Sequence, residues 1–353
     1  MQKITAQFQI PFLQILDESG KADQALMPGL SSGQIRELFE WMVFARIFDD
    51  IAIRLQREGR MGTYPPMVGE EAAIVGTAYA MKRNDWLFWS YRENAAAMMK
   101  GAPVERILLY WASDVRGMGW PGIARAGFVT IPIATQLPHA VGFAWAAKMK
   151  GEKYATVVMF GDGATSKGDF YEALNFAGTF KIPVVFVCRN DQYAISVPRS
   201  LQTAAETIAQ KSLAAGITHT IQVDGNDIFA VYSAVSDALA SVKKGSGPAF
   251  VECITYRRSH HTTADDWTHY RAAQEVEAWQ RKDPIDRLRI YLKANKLWNT
   301  RYEKGAVKQM RKKVDDAVKK MEAVKPADPK EMFTFLFEKP TPDLLKQMKE
   351  SGL

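Results

Sequence analysis

Apolar positions along the chain follow two rhythms that alternate. Unbroken apolar runs at 157–160 (VVMF), 182–188 (IPVVFVC) and 248–256 (PAFVECITY) predict buried strands. Residues 220–225 predict another, and 85–93 (DWLFWSYRE) opens as a short strand. Between these runs the apolar residues recur at helical spacing. Leu38, Met42, Ala45 and Ile53 follow a cap at Ser31 or Ser32. Phe170, Leu174, Ala177 and Phe180 mark a helix over 169–180, and 228–243 repeats the pattern. Further helices are predicted over 70–81, 201–215, 272–282, the DPIDRLRIYL segment and 301–324, and His139 begins an Ala/Gly-rich one. Strands alternating with helices from about 85 to 256 predict a mostly parallel sheet with helices on both faces, an α/β fold. An extended arm is expected over 1–30, the α/β domain over 31–300 and a helical tail over 301–353.

The strongest chemistry stands at two strand ends. Gly161-Asp162-Gly163 breaks the run at 157–160, and Asn190-Asp191 follows the run at 182–188. Open parallel sheets bind ligands at the carboxyl ends of their strands. Asp162 is a hard oxygen donor, and the glycines beside it let backbone amides approach an anion. Asn190, Asp191 and the Tyr193 carbonyl add hard oxygens, so two ends facing one point suit Mg²⁺ and a diphosphate. A dinucleotide fingerprint fails on spacing, because Ser166 stands where its third glycine belongs.

Gly-Asp-Gly, then the 26 residues from Ala164 to Arg189, then Asn190-Asp191 resembles the thiamin diphosphate motif. Nearly the whole chain is similar to the alpha subunit of the decarboxylase, or first, component of 2-oxo acid dehydrogenase complexes. The resemblance implies a thiamin diphosphate-binding fold with Asp162, Asp191 and the Tyr193 carbonyl on Mg²⁺. Tyr91, Arg92, Gly163, Ala164, Arg189 and His261 are implied to contact the diphosphate. Ile133 belongs to the stretch 132–136, which in relatives lies beside the cofactor and holds a monovalent cation, so K⁺ is an expected further ligand. His261, in the loop 257–271 (RRSHHTTADDWTHYR), matches the catalytic histidine, and Thr262 the place of a regulatory phosphoserine. Two departures stand out: the family usually has Asn at 191, and Trp120 takes the place of a histidine in the loop 116–127. The adjacent His260-His261 is more similar to the branched-chain than to the pyruvate type.

The resemblance also implies a separate beta subunit, two alpha and two beta chains together, because this chain is too short for a second cofactor domain with the activating glutamate. A lipoyl acyltransferase component is the implied acceptor. A single-chain decarboxylase and a non-catalytic assembly subunit are the alternatives.

Composition narrows the setting. Net charge is +7, but much of the excess lies in 301–325, where bases alternate with acids at helical spacing. That is a solvated helix face and no nucleic-acid surface. Cys188 and Cys253 both sit in apolar runs and are expected as free thiols of a reducing compartment. The most apolar stretch, 128–147, is interrupted by Pro132, Gln136, Pro138 and His139, so no membrane span is expected. The N-terminal residues show no export pattern, and a cytoplasmic location is expected.

Overall fold

The apolar runs become strands of a single sheet. A computed structural model describes residues 1–353 except Pro121, Ile123 and Ala124, which belong to the glycine-rich loop 116–127 and lie outside the described residues. In chain order the strands are β1 (Phe12–Leu13), β2 (Trp86–Phe88), β3 (Thr156–Gly161), β4 (Val184–Asn190), β5 (His219–Asp224) and β6 (Ala249–Ile254). They lie in the order β1-β5-β6-β4-β3-β2, and every neighbouring pair is parallel.

Side chains of a strand alternate between faces, and here each face meets its own core. Val157, Met159, Val185 and Val187 pack with helices α1 (Ser32–Arg57), α2 (Glu71–Ala80) and the later Ile228–Lys243. Val158, Phe160, Val184 and Phe186 pack with α3 (Gln136–Met149) and α4 (Gly168–Thr179). Burial on both sides explains why these strands read as continuous apolar runs.

Local signals account for the helix starts. Ser31 caps α1 in a reciprocal pair with Gln34. Asp227 caps α5 (Ile228–Lys243) through Oδ1, while Oδ2 accepts the Ile15 and Leu16 amides at 2.5 and 2.6 Å. That same carboxylate therefore anchors the arm whose β1 pairs with β5. Helix α6 (Thr300–Glu322) sends Val314, Ala317, Val318 and Met321 into the first core. Beyond it Phe333 is buried, whereas Met332, Phe335, Leu336 and Phe337 are exposed.

Two expectations change. The helix predicted over 201–215 is two short turns, Arg199–Gln202 and Gln210–Leu213. Tertiary hydrogen bonds break the local pattern there: Arg199 Nη2 donates to the Ala205 carbonyl at 2.6 Å, and the Ala209 amide donates to buried Glu252 at 2.9 Å. Helix α3 begins at Gln136, ahead of His139. His139 itself is exposed and makes no side-chain hydrogen bond among the described residues. Cys188 and Cys253 are buried free thiols, as expected.

Candidate active site

Register brings the two strand ends together. Gly161 pairs with Arg189 across β3 and β4, and Asn190 pairs with Ile254 across β4 and β6. Asp162, Asp191 and Tyr256-Arg257 therefore leave the sheet at one edge, above a cavity of about 410 Å³. Tyr91, Arg92, Ile133, Asp162, Gly163, Ala164, Arg189, Asp191, Tyr193 and His261 line it. Asn190, also named from the sequence as an oxygen donor, does not: its side-chain amide donates to Glu252 at 2.8 Å and its Oδ1 accepts from Gln192 at 3.0 Å. The chain approaches itself closely here, since a Cβ on Gly163 would meet the Ala194 Cβ at 2.9 Å.

The charges are dense and buried. Asp162 Oδ2 accepts a hydrogen bond from Gln202 Nε2 at 2.6 Å, and burial followed by the nearby Asp191 raises its pKa to about 7. Asp191 Oδ1 accepts the Tyr193 amide at 3.1 Å and lies 3.6 Å from Arg257 Nη1. The same Arg257 nitrogen donates to the Tyr193 carbonyl at 3.0 Å, and Nη2 donates to the Ile195 carbonyl at 2.6 Å. Arg257 thus touches two of the three expected metal-binding groups.

Arg92 and Arg189 are both buried, with different commitments. Arg189 is ion-paired with Glu70 and Glu93 together. Burial drives the Glu70 carboxyl up to about 7 despite that cation. Arg92 donates from Nη1 to the Pro66 carbonyl at 2.7 Å and to the His261 carbonyl at 3.1 Å. Its Nη2 lies 3.2 Å from His261 Nδ1, and Arg257 Nη1 reaches that atom at 3.4 Å. A guanidinium only donates. Nδ1 is therefore the unprotonated acceptor and Nε2 carries the hydrogen.

The histidine loop is pinned at several points. Asp265 Oδ2 accepts the His261 amide at 2.7 Å and the Tyr270 hydroxyl at 2.5 Å. The Arg258 amide donates to the Val68 carbonyl at 3.0 Å, and Thr255 Oγ1 donates to the Gly69 carbonyl at 2.7 Å. Thr262 also lines the cavity. Trp120, which stands where the family has a loop histidine, is buried against Trp89 at 6.5 Å between ring centroids, within the first core, and is not part of the lining.

Sequence reading missed Gln202, Arg257, Glu70 and Glu93. Arg257 and Glu70 had a usable signal, because one follows a strand end and the other adjoins a Gly/Pro loop. Gln202 had none. Among the described residues no three His, Cys, Asp or Glu side chains gather as a metal cluster. The expected set contains two carboxylates and a carbonyl, so its remaining ligands must come from the phosphate oxygens and water.

A parallel α/β sheet carrying acids, guanidiniums and a neutral imidazole around one cavity at its carboxyl edge has the build of an enzyme for a phosphate-bearing cofactor. A family model described as "Dehydrogenase E1 component" matches residues 40–330. A Staphylococcus aureus protein named "Pyruvate dehydrogenase E1 component subunit alpha" is 38% identical over 97% of this chain and 92% of its own length. A Bacillus subtilis protein of the same name is 37% identical over 95% of this chain and 91% of its own.

The chain belongs to the dehydrogenase E1 component family, as an alpha-type subunit of a 2-oxo acid dehydrogenase. Enzymes of this family depend on thiamin diphosphate, and an alpha subunit works with partner subunits. The relatives' names bear the pyruvate type, the second of the two types considered from the sequence. No helix among the described residues is long and apolar enough to cross a membrane.

Proposed function

We propose that this chain binds thiamin diphosphate through Mg²⁺ held by Asp162, Asp191 and the Tyr193 carbonyl, and decarboxylates a 2-oxo acid together with a beta subunit. The observation that carries the reading is the convergence of those oxygens with Arg92, Arg257 and His261 on one cavity at the β3 and β4 ends. The residues fit the group. No other residue among those described donates to Asp162 Oδ1, and Gly163 leaves no room for a side chain where backbone would cradle an anion. Bound cofactor supplies the electron sink for loss of carbon dioxide.

The chain's own groups have distinct tasks. Tyr91, Arg92 and Arg257 are donors to the diphosphate oxygens, with Gly163 and Ala164 offering backbone on the opposite side. Arg189 acts there through the cation it shares with Glu70 and Glu93. Ile133 gives the cavity an apolar wall. His261 presents Nε2–H as a hydrogen-bond donor that stabilises charge during acyl transfer to the lipoyl group of an acyltransferase component. A K⁺ ion held by backbone at 132–136 steadies that wall. A heterotetramer of two alpha and two beta chains is the assembly, with the exposed Phe335, Leu336 and Phe337 as one apolar contact.

Pyruvate is the proposed substrate, on the names of the relatives, with branched-chain 2-oxo acids as the competing choice that the paired histidines suggest. Decarboxylation rates over a series of 2-oxo acids, with and without a co-purified beta subunit, test both parts. A pyruvate optimum that needs the partner supports the reading. Full turnover by the chain alone would overturn it.

A further inference from the structure

Asp162 is held by another residue through one oxygen only. Its Oδ2 accepts from Gln202 Nε2 at 2.6 Å, and apart from Asp162's own backbone amide this is the one donor to the carboxylate among the described residues. The second hydrogen of that amide goes to the Val197 carbonyl at 3.0 Å. Gln202 itself ends the turn Arg199–Gln202, just after the small hairpin of Tyr193–Ala194 and Val197–Pro198. That turn is fixed from below: the Arg199 amide donates to the Gln192 carbonyl at 2.8 Å, one residue past Asp191. The segment carrying Gln202 is therefore tied to both strand ends of the site.

We propose that Gln202 is a positioning residue for the metal ligand Asp162, holding Oδ2 so that Oδ1 faces Asp191 and the Tyr193 carbonyl across the cavity. The inference rests on the metal reading above. A free carboxylate turns broadly about its terminal torsion, and Mg²⁺ tolerates little departure from octahedral geometry. An amide is suited to this task because it donates without bringing a charge. A lysine or arginine in its place would neutralise the carboxylate and compete with the cation. Partners of this kind, one step out from a metal, are typically worth about 10–100-fold in affinity.

The test uses the purified full-length chain in the assembly in which it is isolated. Calorimetry measures Mg²⁺ and, separately, Ca²⁺ binding in the presence of thiamin diphosphate, and melting curves follow the metal-free protein. Gln202→Met, unbranched and of similar length, should weaken Mg²⁺ by about 10–100-fold. Ca²⁺ accepts irregular geometry and should lose less. The metal-free melting temperature should stay at its wild-type value. Gln202→Asn, which keeps a donor on a shorter arm, should recover part of the Mg²⁺ loss, and it serves as the test if the methionine variant does not fold. Wild-type Mg²⁺ affinity in both variants would overturn the proposal. So would equal losses for the two metals together with a lower metal-free melting temperature, since that describes a structural staple of the hairpin. A wild-type protein that binds thiamin diphosphate without any divalent ion would instead sink the metal reading itself, and this inference with it.

Discussion

Arg92 Nη2 lies 3.2 Å from His261 Nδ1, and this contact makes Nδ1 the accepting nitrogen of the ring. Burial first, then Arg92 and Arg257, push the His261 pKa down to about 2. In the unfolded chain a histidine titrates near 6.5. Between those values only the unfolded chain binds the proton, so the ring's contribution to stability is whole above about pH 6.5 and declines as pH falls toward 2. His261 ring resonances in the cofactor-free protein should stay constant between about pH 5 and pH 8. A titration with a midpoint near 6.5 would contradict the geometry.

The neutral ring also sharpens its expected role. His261→Ala should impair acylation of a free lipoyl domain by about 10²–10⁴-fold. Decarboxylation with an artificial electron acceptor, at saturating cofactor, should fall less. Equal losses would mean that His261 serves the cofactor and its own loop and gives acyl transfer no hydrogen bond of its own.

Asp162→Ala removes the carboxylate that leads into the cavity from β3. The fold should persist, because among the described residues the side chain's one hydrogen bond to another residue goes to Gln202 at the cavity edge. Mg²⁺–thiamin diphosphate affinity should collapse. Calorimetry on the assembled variant decides, and unchanged affinity would remove Asp162 from the metal site.

Asp191→Asn keeps an oxygen and deletes a charge 3.6 Å from Arg257. Activity should survive, with the ratio of Mg²⁺ to Ca²⁺ affinities altered. Loss of turnover would show that the charge has a task beyond holding a metal.

Arg189→Met should leave Glu70 and Glu93 buried without a shared cation. Breaking a buried pair from one side costs about 3–5 kcal/mol. Urea denaturation of the cofactor-free protein reads this directly. A midpoint equal to wild type would show that the two carboxyls take up protons without strain on the fold.

Gly69→Ala tests the join between the loop before α2 and the His261 loop. Gly69 has φ +99°, and its new Cβ would meet the Tyr256 carbonyl oxygen at 2.2 Å. A loss of about 1–3 kcal/mol is expected, together with faster proteolysis within 257–271. Slow, wild-type cleavage would mean the loop is held by its other bonds, from Asp265, Arg92 and Arg257, without help from the Gly69 turn.

The sequence by itself determined the strands, most of the helices and the two strand ends that carry the chemistry. Burial on both faces writes β3, β4 and β6 as plain apolar runs, and the glycines around Asp162 break the first of them visibly. Motif spacing placed Asp162 and Asp191 at one site because a β-α-β crossover returns each strand end to the same edge, and the family resemblance added His261. Only the tertiary structure decided what those groups touch. Residues 201–215 read as a helix because local spacing cannot register the pull of Glu252 on the Ala209 amide. Trp120 packs in the first core against Trp89, a contact that its loop position does not announce. The neutral state of His261, the shared cation of Glu70 and Glu93, and the hold of Gln202 on Asp162 join residues 40 to 169 positions apart. Such pairings are set by strand order and loop docking, and no local pattern records them.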